Sequence, residues 1–248
     1  GANVPAGGWY TYASPGPLHN CDAATKTGTP PTFDTGDGVM NESVPGTFNL
    51  TPTTNYTCKT AQGELSWNAT TRVLTVYGTV FIDGNVTASN SGSAPIVYGG
   101  GTWSTCTTTL PCDGVVYVSG TVYITGEKLC AKANAGNTDC DWTNWDPNKK
   151  ILVFLAHDQG TQSGVSAGQG VVVGPSQTSF QGGLYADYQV NTGQGAATQG
   201  PLVSGTQTVV TGQQFQGTFP SINILPISIQ GPPQAFWIDP PMNFKYGG

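Results

Sequence analysis

The tract Gly78-Thr79-Val80-Phe81-Ile82-Asp83-Gly84 returns as Gly120-Thr121-Val122-Tyr123-Ile124-Thr125-Gly126. A looser copy runs Gly205-Thr206-Gln207-Thr208-Val209-Val210-Thr211-Gly212. Each copy is a β-branched and aromatic run bounded by glycine, which suits a short strand between two bends. Recurrence of such units is the mark of a repeat architecture. Hairpins usually need a two-residue turn such as Asn-Gly between their strands. In Val-Tyr-Val-Ser-Gly-Thr-Val-Tyr-Ile-Thr-Gly, from Val116 to Gly126, Gly120 is a single corner instead, and Gly205 is another. Corners of this kind redirect the chain around a rung rather than reversing it. The expected fold is therefore all-β, a parallel β-solenoid or β-helix-like stack. The alternative is an antiparallel β-sandwich.

Three parts are expected. Residues 1–62, rich in Pro, Gly, Thr and Asn, read as an irregular wrapping segment stapled by a disulfide. Residues 63–220 carry the strand signal and form the solenoid. With rungs of roughly 20–25 residues, they would give about six or seven rungs and, at ~4.8 Å each, a rod roughly 30 Å long. Residues 221–248, with the zigzag Ile222, Ile224, Leu225, Ile227 and Ile229, read as a C-terminal cap or tail covering a sheet edge. Alternation groups Val80, Ile82, Val116, Val118, Val122 and Ile124 on one face, expected inward, though alternation by itself leaves the two faces interchangeable. Thr79, Phe81, Tyr117, Thr121 and Tyr123 then face outward.

Only 9% of residues are charged, against 35 Gly and 18 Pro, which disfavours long helices. Six Trp, nine Phe and ten Tyr argue for a packed protein rather than a disordered one. The net charge is −6, with seven Lys and the single Arg72, so no extensive nucleic-acid surface is expected. The longest apolar run, Ile151 to Ala156, is too short to span a bilayer. No signal peptide stands at Gly1, so the chain reads as a mature or trimmed ectodomain whose export signal or anchor lies outside it.

Six cysteines lie at 21, 58, 106, 112, 130 and 140, without a Cys-x-x-Cys. Sequential pairing is the simplest: Cys21–Cys58, Cys106–Cys112 and Cys130–Cys140. Disulfides imply an oxidising compartment, hence an extracellular or cell-surface location. Asn-x-Ser/Thr sequons begin at Asn41, Asn49, Asn55, Asn68 and Asn85, a pattern that fits secretion without demanding it.

Residues 114–126 fit the rung style G-V-[VIL]-Y-V-x-G-x-[VI]-x-I-x-G, and 183–212 fit it more loosely. In this the chain resembles the β-solenoid ectodomains of bacterial pilin-like (type IV pilus-associated) surface proteins. The segment from Phe236 to Asp239 is compatible with their tails. The resemblance implies a Gly-rich ectodomain of a filament, displayed by a prepilin-type helix that this sequence does not include.

Chemistry has few candidate homes. His157-Asp158 follows an apolar strand, but no Gly-x-Ser-x-Gly is present and neighbours on a strand point apart, so His157 reads as a structural loop residue. His19 has no motif around it. Polysaccharide-active β-helices need clustered acids. Here Asp83, Asp113, Glu127, Asp158 and Asp187 are scattered, and an Asp83–Asp187 pair would form only if rungs align them. Asp34-Thr35-Gly36-Asp37-Gly38 reads as an Asp/Gly turn rather than a calcium loop. No metal or other cofactor is expected.

The segment Asn137 to Asp146 carries Trp142, Asn144 and Trp145 among acids, in a loop closed by Cys130–Cys140. Tryptophan beside polar groups is a common way to stack on sugars or anchor a partner. The competing reading packs both rings against the solenoid as the loop's own small core. Together these features predict an extracellular structural or adhesive surface protein, part of a pilus-like filament or its tip, and not an enzyme. Its expected partners are other copies, filament subunits or surface glycans. The alternative is a carbohydrate-binding module or a polysaccharide-active β-helix enzyme.

Overall fold

The computed structural model describes residues 28, 47–59, 63–82, 84–89, 94–99, 106–107, 112–118, 120–158, 162–175 and 177–210. His19, Cys21, the Asp34–Gly38 loop, Asp83 and the 221–248 tail lie outside the described residues. No helix occurs among the described residues; all seventeen elements are strands.

Three strands come first: β1 (Thr47–Asn49), β2 (Tyr56–Lys59) and β3 (Gly63–Asn68). Five rungs follow. The first is β4 (Val73–Ile82) and β5 (Asn85–Ala88); the second is β6 (Ile96–Tyr98), β7 (Gly114–Val118) and β8 (Val122–Ile124). The third is β9 (Lys128–Cys130), β10 (Leu152–Ala156) and β11 (Gln169–Val173). The fourth is β12 (Ser179–Gln181), β13 (Gly183–Ala186) and β14 (Gln189–Thr192), and the fifth is β15 (Ala197–Gln199), β16 (Leu202–Ser204) and β17 (Thr208–Val210).

Strands from successive rungs pair in parallel. One sheet runs β1-β5-β8-β11-β14-β17. The other runs β15-β12-β9-β6-β4-β7-β10-β13-β16 and folds at β4, whose start pairs with β6 and whose end pairs with β7. The result is a three-sided parallel β-solenoid. The three glycine-bounded tracts do not sit in one column: the first forms the end of β4, whereas the second and third form β8 and β17. Among the described strands only β2, β3 and β4 pair antiparallel, as a meander at the start of the stack. The parallel stack also takes in β1, which precedes residue 63.

Rung length explains why a count from spacing gives six or seven. Register partners Val73 and Val97 are 24 residues apart, Ile96 and Leu129 33, Leu129 and Phe180 51, and Phe180 and Thr198 18. The bare rung is the last of these; the others carry excursions, the longest of them following β9 and β10.

Inward positions form in-register columns of aliphatic and aromatic side chains. Val80, Val116, Phe154 and Leu184 align, as do Val86, Val122, Val171 and Val190. All eight are at most 4% exposed, and Ile82, Val118 and Ile124 are buried with them. Burying such columns is the main source of stability in a stack of short strands.

Two outward expectations need correction. Thr121 is fully buried. Asn85 Oδ1 accepts from the Thr121 amide and hydroxyl at 2.9 and 3.0 Å, and Gln162 Nε2 donates to Thr121 Oγ at 2.7 Å. Thr121 is thus the polar hub of a corner, where a hydroxyl with two local partners can be buried. Tyr117 does point outward but is only 7% exposed, because it packs with Val115 and Val153 in a second, smaller apolar cluster on that face. Tyr123 is half-buried. Its ring lies where a Cβ on Gly164 would approach to 2.3 Å, so the 162–168 loop folds across it.

The corners demand glycine where backbones nearly touch. Gly120 donates to the Gly84 carbonyl at 2.9 Å, and a Cβ there would lie 2.3 Å from Asn85 Oδ1. Gly200, at φ 129°, leaves no room for a side chain against the Gly182 carbonyl.

Candidate functional site

The two long excursions build the two places where polar chemistry gathers. The first follows β9. Cys130–Cys140 closes it, and the Cys106–Cys112 bridge is also formed. Cys58 is disulfide-bonded as well; the expected partner, Cys21, lies outside the described residues. Among the described residues one trio of potential metal ligands converges, Cys130, Asp139 and Cys140, but both sulfurs are spent in the disulfide.

This loop is clamped rather than loose. Asp139 Oδ1 accepts from Ser179 Oγ at 2.9 Å and from the Cys140 amide at 2.8 Å. Lys132 Nζ pairs with Asp141 at 2.7 Å, and Asn144 donates to the same carboxylate. Burial pushes the Asp141 carboxyl up, but the hydrogen bonds from Lys132 and Asn144 outweigh it and hold the group below its usual range. Buried amides of the neighbouring rungs grip the loop backbone: Gln181 Nε2 donates to Asp141 O at 3.0 Å and Gln199 Nε2 to Trp142 O at 2.9 Å.

The three residues expected to bind do not share one environment. Trp145 is 4% exposed and belongs to the core, its indole donating to the Lys150 carbonyl at 2.8 Å. Lys150 is itself 1% exposed; its stem fills the space against Gly99, and burial lowers its ammonium to about 8. Trp142 is half-buried with its indole directed at Asp139, and Asn144 is exposed. Of the three, only Trp142 and Asn144 reach the surface.

The second place is a cleft of about 540 Å³ lined by His157, Asp158, Asp187 and Tyr188. Parallel register builds it. Ala156 aligns with Ala186, so the next residues, His157 and Asp187, stack on adjacent rungs and Asp158 stands beside Tyr188. The backbone continues the ladder: His157 and Asp158 donate to Val118 O and Gly120 O, and Asp187 donates to Ala156 O. His157 Nδ1 lies 2.7 Å from Asp187 Oδ2, with both side chains about a fifth exposed. Burial, then the Asp187 charge and a hydrogen bond to it, raise the Tyr185 hydroxyl above its ordinary value. A carboxylate can only accept, so Nδ1–H is the donor of this bond.

Sequence spacing did not expose this pairing, because His157 and Asp187 are 30 residues apart while the bare rung is 18. The signal that finds it is the match of Phe154-Leu155-Ala156-His157-Asp158 with Leu184-Tyr185-Ala186-Asp187-Tyr188: apolar, large, Ala, then two polar or aromatic residues. The other acids go elsewhere. Arg72 and Glu127, separated in sequence, form a 2.9 Å salt bridge in which Glu127 is fully buried. Asp113, half-buried, is raised to about 6 by desolvation, against a backbone hydrogen bond from Ile151.

Comparison with known proteins finds no matching family model, no matching curated protein and no matching solved structure.

Proposed function

We propose that this chain is an extracellular structural or adhesive surface protein, a component of a pilus-like filament or its tip, acting through binding and assembly rather than catalysis. The observation that carries this reading is the clamped loop. A disulfide, a salt bridge and two buried glutamine amides hold 131–146 against the side of a stiff parallel stack, presenting Trp142 and Asn144 in a fixed pose. Preorganisation of this kind lowers the entropic cost of binding. Disulfides support an oxidising location, and the rung style of residues 114–126 supports the likeness to pilin-like ectodomains.

The test is binding of the purified chain to cells, to immobilised surface polysaccharides and to itself, with Trp142→Ala/Asn144→Ala as comparison. Binding should weaken at least tenfold in the double variant while far-UV circular dichroism stays unchanged. Wild-type binding by that variant defeats the loop's role.

The second reading, a carbohydrate-binding or polysaccharide-active protein, draws on the His157–Asp187 pair, since an imidazole oriented by a carboxylate can move protons. Turnover of a polysaccharide that disappears in Asp187→Asn would favour it over the structural reading.

A further inference from the structure

We infer that Asn68 is an attachment site for an N-linked glycan, the acceptor of an oligosaccharide delivered on a lipid diphosphate carrier. The inference goes beyond the proposed function and shares with it only the exported location.

The fold separates sequons that the sequence leaves equal. Asn41 lies outside the described residues. Asn85 is 2% exposed, and its Oδ1 holds the Thr121 amide and hydroxyl inside a corner. Asn49 spends its side-chain amide on the Ser89 carbonyl at 2.9 Å, and Thr51, the hydroxyl residue of that sequon, is fully buried. Asn55 is exposed, but Gly28 stands against its backbone: a Cβ on Gly28 would lie 2.4 Å from the Asn55 carbonyl oxygen.

Asn68-Ala69-Thr70 differs from all of these. It runs from the end of β3 into the turn before β4, and both Asn68 and Thr70 are exposed. Asn68 Oδ1 accepts from the Thr70 and Thr71 amides at 3.0 Å each, while its Nδ2 bonds to nothing among the described residues. The turn is held from outside as well. Asn55 Oδ1 accepts from the Ala69 amide at 2.8 Å, and Arg72 Nε donates to the Ala94 carbonyl at 3.0 Å. The surrounding face is open. Val73, directly across the antiparallel register from Asn68, is 39% exposed, and Tyr77, further along the same face of β4, is 57% exposed. A surface loop is where such an acceptor belongs, because the glycan is bulky and solvated.

Transfer forms a bond from Asn68 Nδ2 to C1 of the first sugar. The bond from that carbon to the carrier diphosphate breaks, the diphosphate leaves with the electron pair, and Nδ2 gives up one proton. Oδ1 keeps both of its turn hydrogen bonds, so the finished fold accepts the product without rearrangement.

The experiment is secretion of the full chain from a eukaryotic host, followed by intact mass and site mapping after enzymatic glycan release in heavy-oxygen water. Asn68 should be occupied in most molecules, with Asn49 and Asn85 bare in the folded protein. Asn68→Gln and Thr70→Ala should each abolish the glycan at this position, and Thr70→Ser should keep it, with circular dichroism as in the wild type. Thr70→Ala retains the Asn68 side chain and its turn, so it separates loss of the acceptor motif from loss of the fold. The inference is overturned if Asn68 is bare in the secreted wild type, if Asn85 carries the glycan in folded protein, or if Thr70→Ala keeps the glycan on Asn68.

Discussion

The Gln181 side-chain amide donates to Gln199 Oε1 at 2.9 Å, one rung further on, and both carboxamides are buried. Each also reaches out to a loop carbonyl, Asp141 for one and Trp142 for the other. Two adjacent rungs thereby hold one excursion by its backbone.

Gln181→Ala should therefore act on the loop before the rod. It leaves the Asp141 carbonyl and the Gln199 amide short of a partner, at a cost of about 1–3 kcal/mol. Hydrogen exchange should accelerate across 132–145 while β10 and β13 stay protected. Equal loss of protection in both regions would mean that the amide ladder supports the whole stack.

Ile124 is fully buried, and Ile124→Ala should cost about 2–5 kcal/mol, the range for large-to-small changes in a packed interior. Tyr123→Ala, on the half-buried opposite side, should cost less. Urea melts of the two variants decide it, and a more damaging Tyr123→Ala would reverse the inside and outside of β8.

Asp113 gives a pH signature. Its folded-state value, pushed to about 6 by desolvation, exceeds the unfolded value near 4. Its stabilising contribution is thus present below about pH 4 and lost as pH rises through about 6. Its Oδ1 is buried with no hydrogen-bond partner among the described residues. Asp113→Asn should stabilise the protein at pH 7.5 by on the order of 1 kcal/mol, allowing for solvent screening, and by less at pH 4.5. An identical difference at the two pH values would refute this.

Gly120→Ala should be poorly tolerated although the substitution is small. The new Cβ would meet Gly84 O at 2.7 Å as well as the Asn85 amide oxygen, and the neighbours that must yield include backbone. A lower melting temperature than wild type, with the change centred on β5 and β8 by hydrogen exchange, is the expected result. An unchanged melt would show that the corner relaxes freely.

The parallel stack was legible because alternation and single-glycine corners are local signals. Val80, Ile82, Val116 and Val118 fall on one face by alternation alone, without knowledge of partners, and the structure shows that face to be the inner one. What was not legible depends on rung length. His157 meets Asp187, and Arg72 meets Glu127, only because excursions of unequal length restore register. No period in the sequence carries that information. Thr121 was misread for a related reason: its place at the end of an outward alternation says nothing of Asn85 and Gln162, which arrive from other connections and enclose it. The two tryptophans of the loop separate on one hydrogen bond, Trp145 to the Lys150 carbonyl, which spacing alone does not foresee.

The antiparallel meander has a kinetic consequence. Every parallel pairing joins strands at least one rung apart in sequence, so closing it carries a loop-entropy cost before any contact is gained. The β3–β4 pairing, from Gly63↔Gly78 inward to Asn68↔Val73, needs only a short turn, and Asn68 Oδ1 already accepts from the amides of Thr70 and Thr71. This meander is the natural nucleus, with rungs then added one by one onto the long template of β4. Leu65→Ala should accordingly slow refolding, whereas Leu184→Ala, far along the stack, should chiefly speed unfolding. A chain that acquires its shape from one end in this way can begin to fold as it emerges, N-terminus first, with each completed rung serving as the mould for the next.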